Sequence, residues 1–234
     1  KELGMPSLAL TDTCSLAGAM EFHSECKGAN IKPIFGLKLN TPDGTITVLA
    51  KNKTGWINLI KLVSKSNDNI VNGLPITGLG LLQQYSTDLI GICGAPRSLF
   101  NGLSVNDNYN VEAIKDIFNG NLYMDIHSSE VNFRKEELRE LAKKAGIKCI
   151  ASSESIYARK EDVIDYKILA CSDQKTTLKH VSGIDESLFF RSESELDCLE
   201  EEIKNTEEIA ALCESYSITN KPKLPKFLCP NGLS

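Results

Sequence analysis

What most constrains the fold of this chain is an alternation. Short apolar runs of strand length are followed, again and again, by stretches with helical spacing and their own start and stop signals. The first case is "MPSLALTDTCSLAGAMEF", Met5 to Phe22, where an apolar run ends on Thr-Asp and gives way to an amphipathic helix. Ser7 to Thr11 reads as a strand, and a helix is expected from Leu16 to Lys27, with Ser15 as N-cap and Gly28 as stop. Ile31 to Leu39 and Thr45 to Ala50 read as strands, and Thr54 to Ser66 as a helix with Trp56, Leu59, Ile60 and Val63 on one face. Asn67 to Gly80, rich in Asn and Gly, reads as a loop before a short helical piece ending near Tyr85. "DLIGICG" from Asp88 is a buried strand, Val111 to Phe118 a short helix, and "LYMDI" from Leu122 another strand. "RKEELRELAKKAG" is a helix closed by Gly146, and "IKCIAS" the strand after it. This spacing predicts an α/β fold with a mainly parallel sheet, open or closed into a barrel.

After Tyr157 the pattern turns helical, with helices expected at Asp162 to Ala170, Ser194 to Ile203 and Thr206 to Ser215. The tail "NKPKLPKFLCPNG" has the composition of an extended linker. The chain therefore divides into an α/β unit over 1–157, a helical extension over 158–219 and a Pro-rich linker over 220–234. The opening "KELG" reads as the last turn of a helix, with Gly4 at the position that tolerates a left-handed backbone. A first residue of Lys1 rather than Met is what a fragment of a longer protein would show.

A chain of 234 residues, 41% of them hydrophobic, can bury a substantial core. Its net charge of −5, with 26 basic residues scattered rather than clustered, excludes a chain that grips nucleic acid by itself. The eight cysteines (14, 26, 93, 149, 171, 198, 213 and 229) form no Cys-x-x-Cys pair, so reduced thiols in a cytoplasmic protein are expected. No stretch approaches the ~20 apolar residues of a membrane span, and no signal peptide is evident. The acidic stretch Asp197 to Ala210 has helical apolar spacing, which fits a solvated helix face.

In sheets of this kind the working residues project from the carboxyl ends of the strands. Here those ends carry Asp12 with Thr13, Lys38, Thr45, Ala95, Asp125 to Ser129, and Glu154 to Ile156. The set is poor in acids, contains a lysine, and has His127 as its one histidine. A single histidine does not hold a catalytic zinc, which takes about three protein ligands.

"ELGMPSLALTD", "AGAMEF", "IKPIFGLKLN", "VLAKNKTGWINLIKL" and "LIGICG" resemble, in order and spacing, the PHP (polymerase and histidinol phosphatase) domain of bacterial DNA polymerase III alpha subunits. "AKKAGIKCIASSESIYARKEDVIDYKILACSDQKTTL" continues the likeness. "NTEEIAALCESYSI" and "KPKLPKF" are similar to the family's helix and linker leading toward the polymerase palm.

The resemblance implies a distorted (β/α)7 barrel, whose first strand is missing from this fragment, with a helical C-terminal extension. In intact members the strand ends hold a cluster of metal ions. Where the family has Thr-Asp-His-Gly, this chain has Thr11, Asp12, Thr13 and Cys14; where it has Gly-x-Glu, it has Gly36, Leu37 and Lys38. Further ligand positions fall at Thr45, Ala95, Ser129 and Ile156, while Glu154 keeps an acid. Threonine, alanine and isoleucine supply no ligand for such a cluster, and an ammonium repels a cation. The expectation is a degenerate site with no catalytic residue, no bound metal and no cofactor in this fragment, Mg being expected only at the absent palm. Lys38 is expected to neutralise Asp12 or Glu154 in place of the lost metal.

The resemblance further implies a parent enzyme that is a DNA-directed DNA polymerase. Its other polymerase III subunits, a proofreading exonuclease among them, would be the partners. DNA would be met through the absent domains, with no membrane involved. Two other readings stand beside this one: an active metal-dependent phosphoesterase or 3′–5′ exonuclease at the same strand ends, and a free-standing protein-binding adaptor.

Overall fold

The computed structural model describes residues 2–95, 98–99, 108–128 and 134–219, with backbone alone at 108–110. The expected linker 220–234 and Ser129 lie outside the described residues. The strands of the main sheet are β1 (Ser7–Leu10), β2 (Lys32–Thr41), β3 (Gly44–Ala50), β6 (Leu89–Cys93), β7 (Leu122–His127) and β8 (Lys148–Ser152). They form one six-stranded sheet in the order β1-β2-β3-β6-β7-β8. A two-stranded ribbon, β4 (Ile70–Val71) with β5 (Leu74–Pro75), stands apart. The helices are α1 (Ala19–Ala29), α2 (Lys53–Ser66), α3 (Leu79–Tyr85), α4 (Asn108–Ile117), α5 (Lys135–Ala145), α6 (Val163–Asp173) and α7 (Glu200–Leu212). The mixed α/β architecture and curled sheet agree with the barrel-like fold expected from the sequence.

Several local expectations give way to tertiary structure. The sheet is mixed, because β3 runs antiparallel to both neighbours while β1-β2, β6-β7 and β7-β8 are parallel. Thr41-Pro42-Asp43-Gly44 closes a tight hairpin between β2 and β3, and a parallel pair would need a long crossover instead. The stretch read as a loop, 67–80, contains the β4-β5 ribbon, turned at Asn72 and Gly73, both with positive φ. Helix α1 begins at Ala19, behind Gly18 rather than Ser15, and ends on Asn30 in the left-handed region rather than at Gly28. On α2 the buried side is Asn58, Leu59, Leu62 and Ser66, with Trp56 and Val63 packed at its margin, so Ile60 faces solvent. The two helices expected at 194–203 and 206–215 are one helix, α7, preceded by a single 3-10 turn at Glu193–Glu195. Helix α5 closes as read, on Gly146 with φ +59°.

Strand side chains alternate between faces, and this two-residue period sorts the core. Phe35, Leu37 and Leu39 of β2, Ile46 and Val48 of β3, and Met124 and Ile126 of β7 point toward the helical layer. There they meet Leu59 and Leu62 of α2 and Leu138, Leu141 and Ala142 of α5. The opposite face carries Ile34, Leu49, Ile90, Tyr123 and Ile150, and α7 covers them with Ile209, Ala210 and Cys213.

Three devices seat α7. Arg139 of α5 meets the buried Glu202 of α7 through Nε–Oε1 at 2.7 Å and Nη2–Oε2 at 3.0 Å. Lys32 of β2 donates to the carbonyls of Ala210, and of Cys213 at 2.8 Å, where helix carbonyls lack intrahelical partners. Thr206 Oγ1 accepts the Ala151 N–H at 3.1 Å and Asn205 Nδ2 donates to the Cys149 carbonyl at 2.8 Å, so side chains of α7 satisfy the outer edge of β8.

Candidate functional site

The face that α7 covers at one end is open at the other. Continuing the alternation from Ile34 along β2 brings Gly36, Lys38 and Asn40 to that face, and from Tyr123 along β7 it brings Asp125 and His127. Because β3 runs the opposite way, its first residues, Thr45 and Thr47, reach the same end as Lys38 and Asn40. A cleft of about 1170 Å³ opens there, between these strand ends and the segment from Gly183 to Arg191.

Five of the eight positions singled out in the sequence line this cleft: Thr13, Lys38, Thr45, Glu154 and Ile156. Thr13 is brought in by a bridge to Lys38, where Cys14 N–H donates to the Lys38 carbonyl at 2.8 Å and Lys38 N–H to the Asp12 carbonyl at 3.1 Å. The Asp12 side chain is exposed and turns toward the start of α1, its Oδ2 lying 3.4 Å from where a Cβ on Gly18 would be. Ala95 is absent from the lining; its carbonyl accepts the N–H of Ser98, which bridges to Thr45.

Lys38 Nζ lies 2.7 Å from Glu154 Oε1, with side-chain exposures of 22% and 45%. Of the two carboxylates expected for Lys38, Glu154 is therefore the partner. The backbone N–H of Glu154 donates to His127 Nε2 at 2.6 Å. That ring nitrogen is an acceptor, so the proton of the neutral imidazole sits on Nδ1. Burial pushes the His127 pKa below its ordinary value, against the raising influence of Asp125 and Glu154. Asp125 is buried and accepts from the Ser152 hydroxyl. Its carboxyl is pushed up by burial, an effect that His127, the Ser152 hydroxyl and Lys38 oppose.

The far wall of the cleft is assembled from residues the strand-end reading did not reach. Ile156 and Tyr157 N–H groups both donate to the Leu188 carbonyl, at 2.9 and 3.3 Å, and Phe190 N–H returns to Tyr157 at 3.1 Å. Tyr157 Oη donates to the Glu186 carbonyl at 2.7 Å, and Lys167 pairs with Glu186 at 2.6 Å. Tyr166, Lys160 and Arg191 complete the rim, the Arg191 guanidinium lying 4.8 Å from the Phe189 ring centroid. The aromatic and charged residues clustered over 157–191 were the only sequence signal for this wall.

Chemically the cleft is poor in metal donors. Among the described residues no group of three His, Cys, Asp or Glu side chains is disposed to hold a metal ion. Lys38 places an ammonium among the strand ends, His127 Nε2 is taken by a backbone N–H, and Asp125 by a serine. These residues do not fit a cluster of divalent ions. No helix among the described residues is long and apolar enough to cross a membrane.

A family model described as "PHP domain" matches residues 1–129. Curated proteins named DNA polymerase III subunit alpha align with nearly the whole chain. The one from Thermus aquaticus is 26% identical over 97% of this chain. Those from Bacillus subtilis and Escherichia coli K12 are each 28% identical, over 99% and 98% of it. In every one of these alignments the chain spans 22% of the relative's length.

Proposed function

The chain belongs to the PHP-domain family, and on that premise we propose that it is the PHP region of a bacterial replicative DNA polymerase alpha subunit, catalytically silent and employed in assembly. The observation that carries this reading is the Lys38–Glu154 ion pair at the strand ends, 2.7 Å long. An ammonium there supplies the positive charge that a cation would bring, and supplies no Lewis acid and no activated water. Thr13, Thr45 and Ile156 around it offer no anionic ligand, and Asp12 points elsewhere. In this reading the degenerate positions are Asp12, Thr13, Lys38, Thr45, Ala95, Ser129, Glu154 and Ile156, with no catalytic residue among them.

In this reading the domain supports the polymerase domains and offers a docking surface to a proofreading exonuclease. Other polymerase subunits are its neighbours in the cytoplasm. Nucleotidyl transfer, with its two Mg ions, belongs to a palm domain outside these residues.

The test is metal content of the purified protein by mass spectrometry, with a phosphodiester-cleavage assay in added manganese and in added zinc. Metal well below one equivalent, together with no cleavage, is the expected result. Stoichiometric metal with cleavage that disappears in Glu154→Ala or His127→Ala overturns the proposal in favour of a phosphoesterase.

A further inference from the structure

We propose that Lys38 and His127 form a two-point latch on Glu154 that fixes the outer wall of the cleft, so that the cleft keeps its shape without divalent ions. Glu154 stands where the chain leaves β8 for the segment carrying the wall, two residues past Ser152. Two barrel strands hold it there. β7 holds its backbone through His127 Nε2, and β2 holds its carboxylate through the Lys38 ammonium. Three residues on, Tyr157 carries the wall itself, through its backbone bonds to Leu188 and Phe190, its hydroxyl on Glu186 and its ring against Tyr166 at 5.6 Å. Helix α6 buries none of its residues fully, and of the wall segment from Gly183 to Arg191 only Ser187 and Leu188 are buried, so the wall has limited packing of its own to set its position. Its placement is therefore sensitive to the anchor at Glu154.

Asp125 lies buried beneath the anchor, and Lys38 acts on Asp125 and on Glu154 at once. Lys38 is the cation paired with Glu154, and the sequence supplies it covalently. That Lys38 does the work a metal ion does elsewhere in the family rests on the silent-site reading above; the latch itself rests on the two bonds to Glu154.

The test is amide hydrogen exchange of the purified protein, followed at Ile156, Tyr157 and Phe190 and, as a reference, along α2. Lys38→Met should speed exchange at the three wall amides by about threefold, the size expected of a partly exposed ion pair, and leave α2 unchanged. The reversed pair, Lys38→Glu with Glu154→Lys, should bring exchange back toward the parent rate. A chelator or added manganese should leave the parent profile unaltered. Unchanged wall exchange in Lys38→Met overturns the latch, as does a reversed pair no slower than the single variant. Wall exchange that accelerates in chelator with the latch variants behaving as expected overturns only the silent-site reading, so the two failures are told apart.

Discussion

Removing either partner of the Arg139–Glu202 pair should destabilise the protein, but the two losses should be unequal, and the inequality follows from burial. Glu202 is 3% exposed and Arg139 is 19% exposed. The Glu202 carboxylate takes two bonds from the guanidinium, at 2.7 and 3.0 Å, and a third from the Leu199 N–H at 2.8 Å at the start of α7. Arg139 has a second carboxylate in Glu136, itself largely exposed, and its bonds to Glu202 hold its pKa above the ordinary arginine value. Arg139→Met leaves a carboxylate buried with no cation. Losses of that kind cost about 3–5 kcal/mol, and the lower half applies because the Leu199 N–H stays bound, giving about 3–4 kcal/mol. Glu202→Gln leaves a guanidinium that still reaches water and Glu136, and keeps an acceptor for Leu199, so the loss falls to about 1–2 kcal/mol. The assay is urea unfolding at pH 7 followed by circular dichroism, comparing midpoints at constant slope. The double variant Arg139→Met with Glu202→Met should be more stable than Arg139→Met alone, because no buried charge remains. Equal losses in the two single variants, or a double variant no more stable than Arg139→Met, refute the claim that the unpaired carboxylate is the costly species.

Thr206→Val should lower stability by about 1–2 kcal/mol in the same assay, because the Ala151 N–H loses its acceptor, and light scattering should register more self-association through the β8 edge. Gly94→Ala should cost about 3 kcal/mol or prevent folding, read as soluble yield and thermal midpoint, since its φ is +148° and a Cβ would sit 2.3 Å from the Asp125 carbonyl oxygen. With the His127 pKa lowered in the folded state, the unfolded chain binds the proton first. Acidification from about pH 6.5 down through the folded value therefore costs stability. Asp125, pushed upward, acts with the opposite sign in a window starting at the ordinary carboxylate value of about 4, so a urea-midpoint profile from about pH 7.5 to about 3.5 should lose its slope near 6.5 in His127→Gln and keep the lower one.

What could be read from the sequence was whatever depends on neighbours along the chain. The strands β1, β2 and β6, each within about two residues of its expected bounds, the closure of α5 at Gly146 and the residues displayed at strand ends all follow from local periodicity and turn chemistry. Apolar spacing alone does not place Ile60 in solvent, because Asn58 and Ser66, polar on any hydropathy scale, are buried by bonds to the Thr87 carbonyl and the Thr77 hydroxyl. The continuity of α7 through Asn205 has a similar cause: Asn205 and Thr206 look like helix breakers, yet their side chains are occupied by the edge of β8, 56 and 55 residues away. Position 38 was recognisable as a lysine at a strand end, while its choice of Glu154 over Asp12 depends on how the Asp12 loop turns toward Gly18, which only the folded chain decides.

The side-chain capping of β8 also sets a schedule. Ser152 leaves the ribosome about 60 residues before Leu212, which at about 5–20 residues per second is roughly 3–12 s. For that interval the sheet has a bare outer edge, and Ile34, Leu49, Ile90, Tyr123 and Ile150 have no cover. A nascent chain stalled before α7 is thus a sticky object, suited to a chaperone or to aggregation, and rare-codon pauses would do the most harm between Ser152 and Glu200.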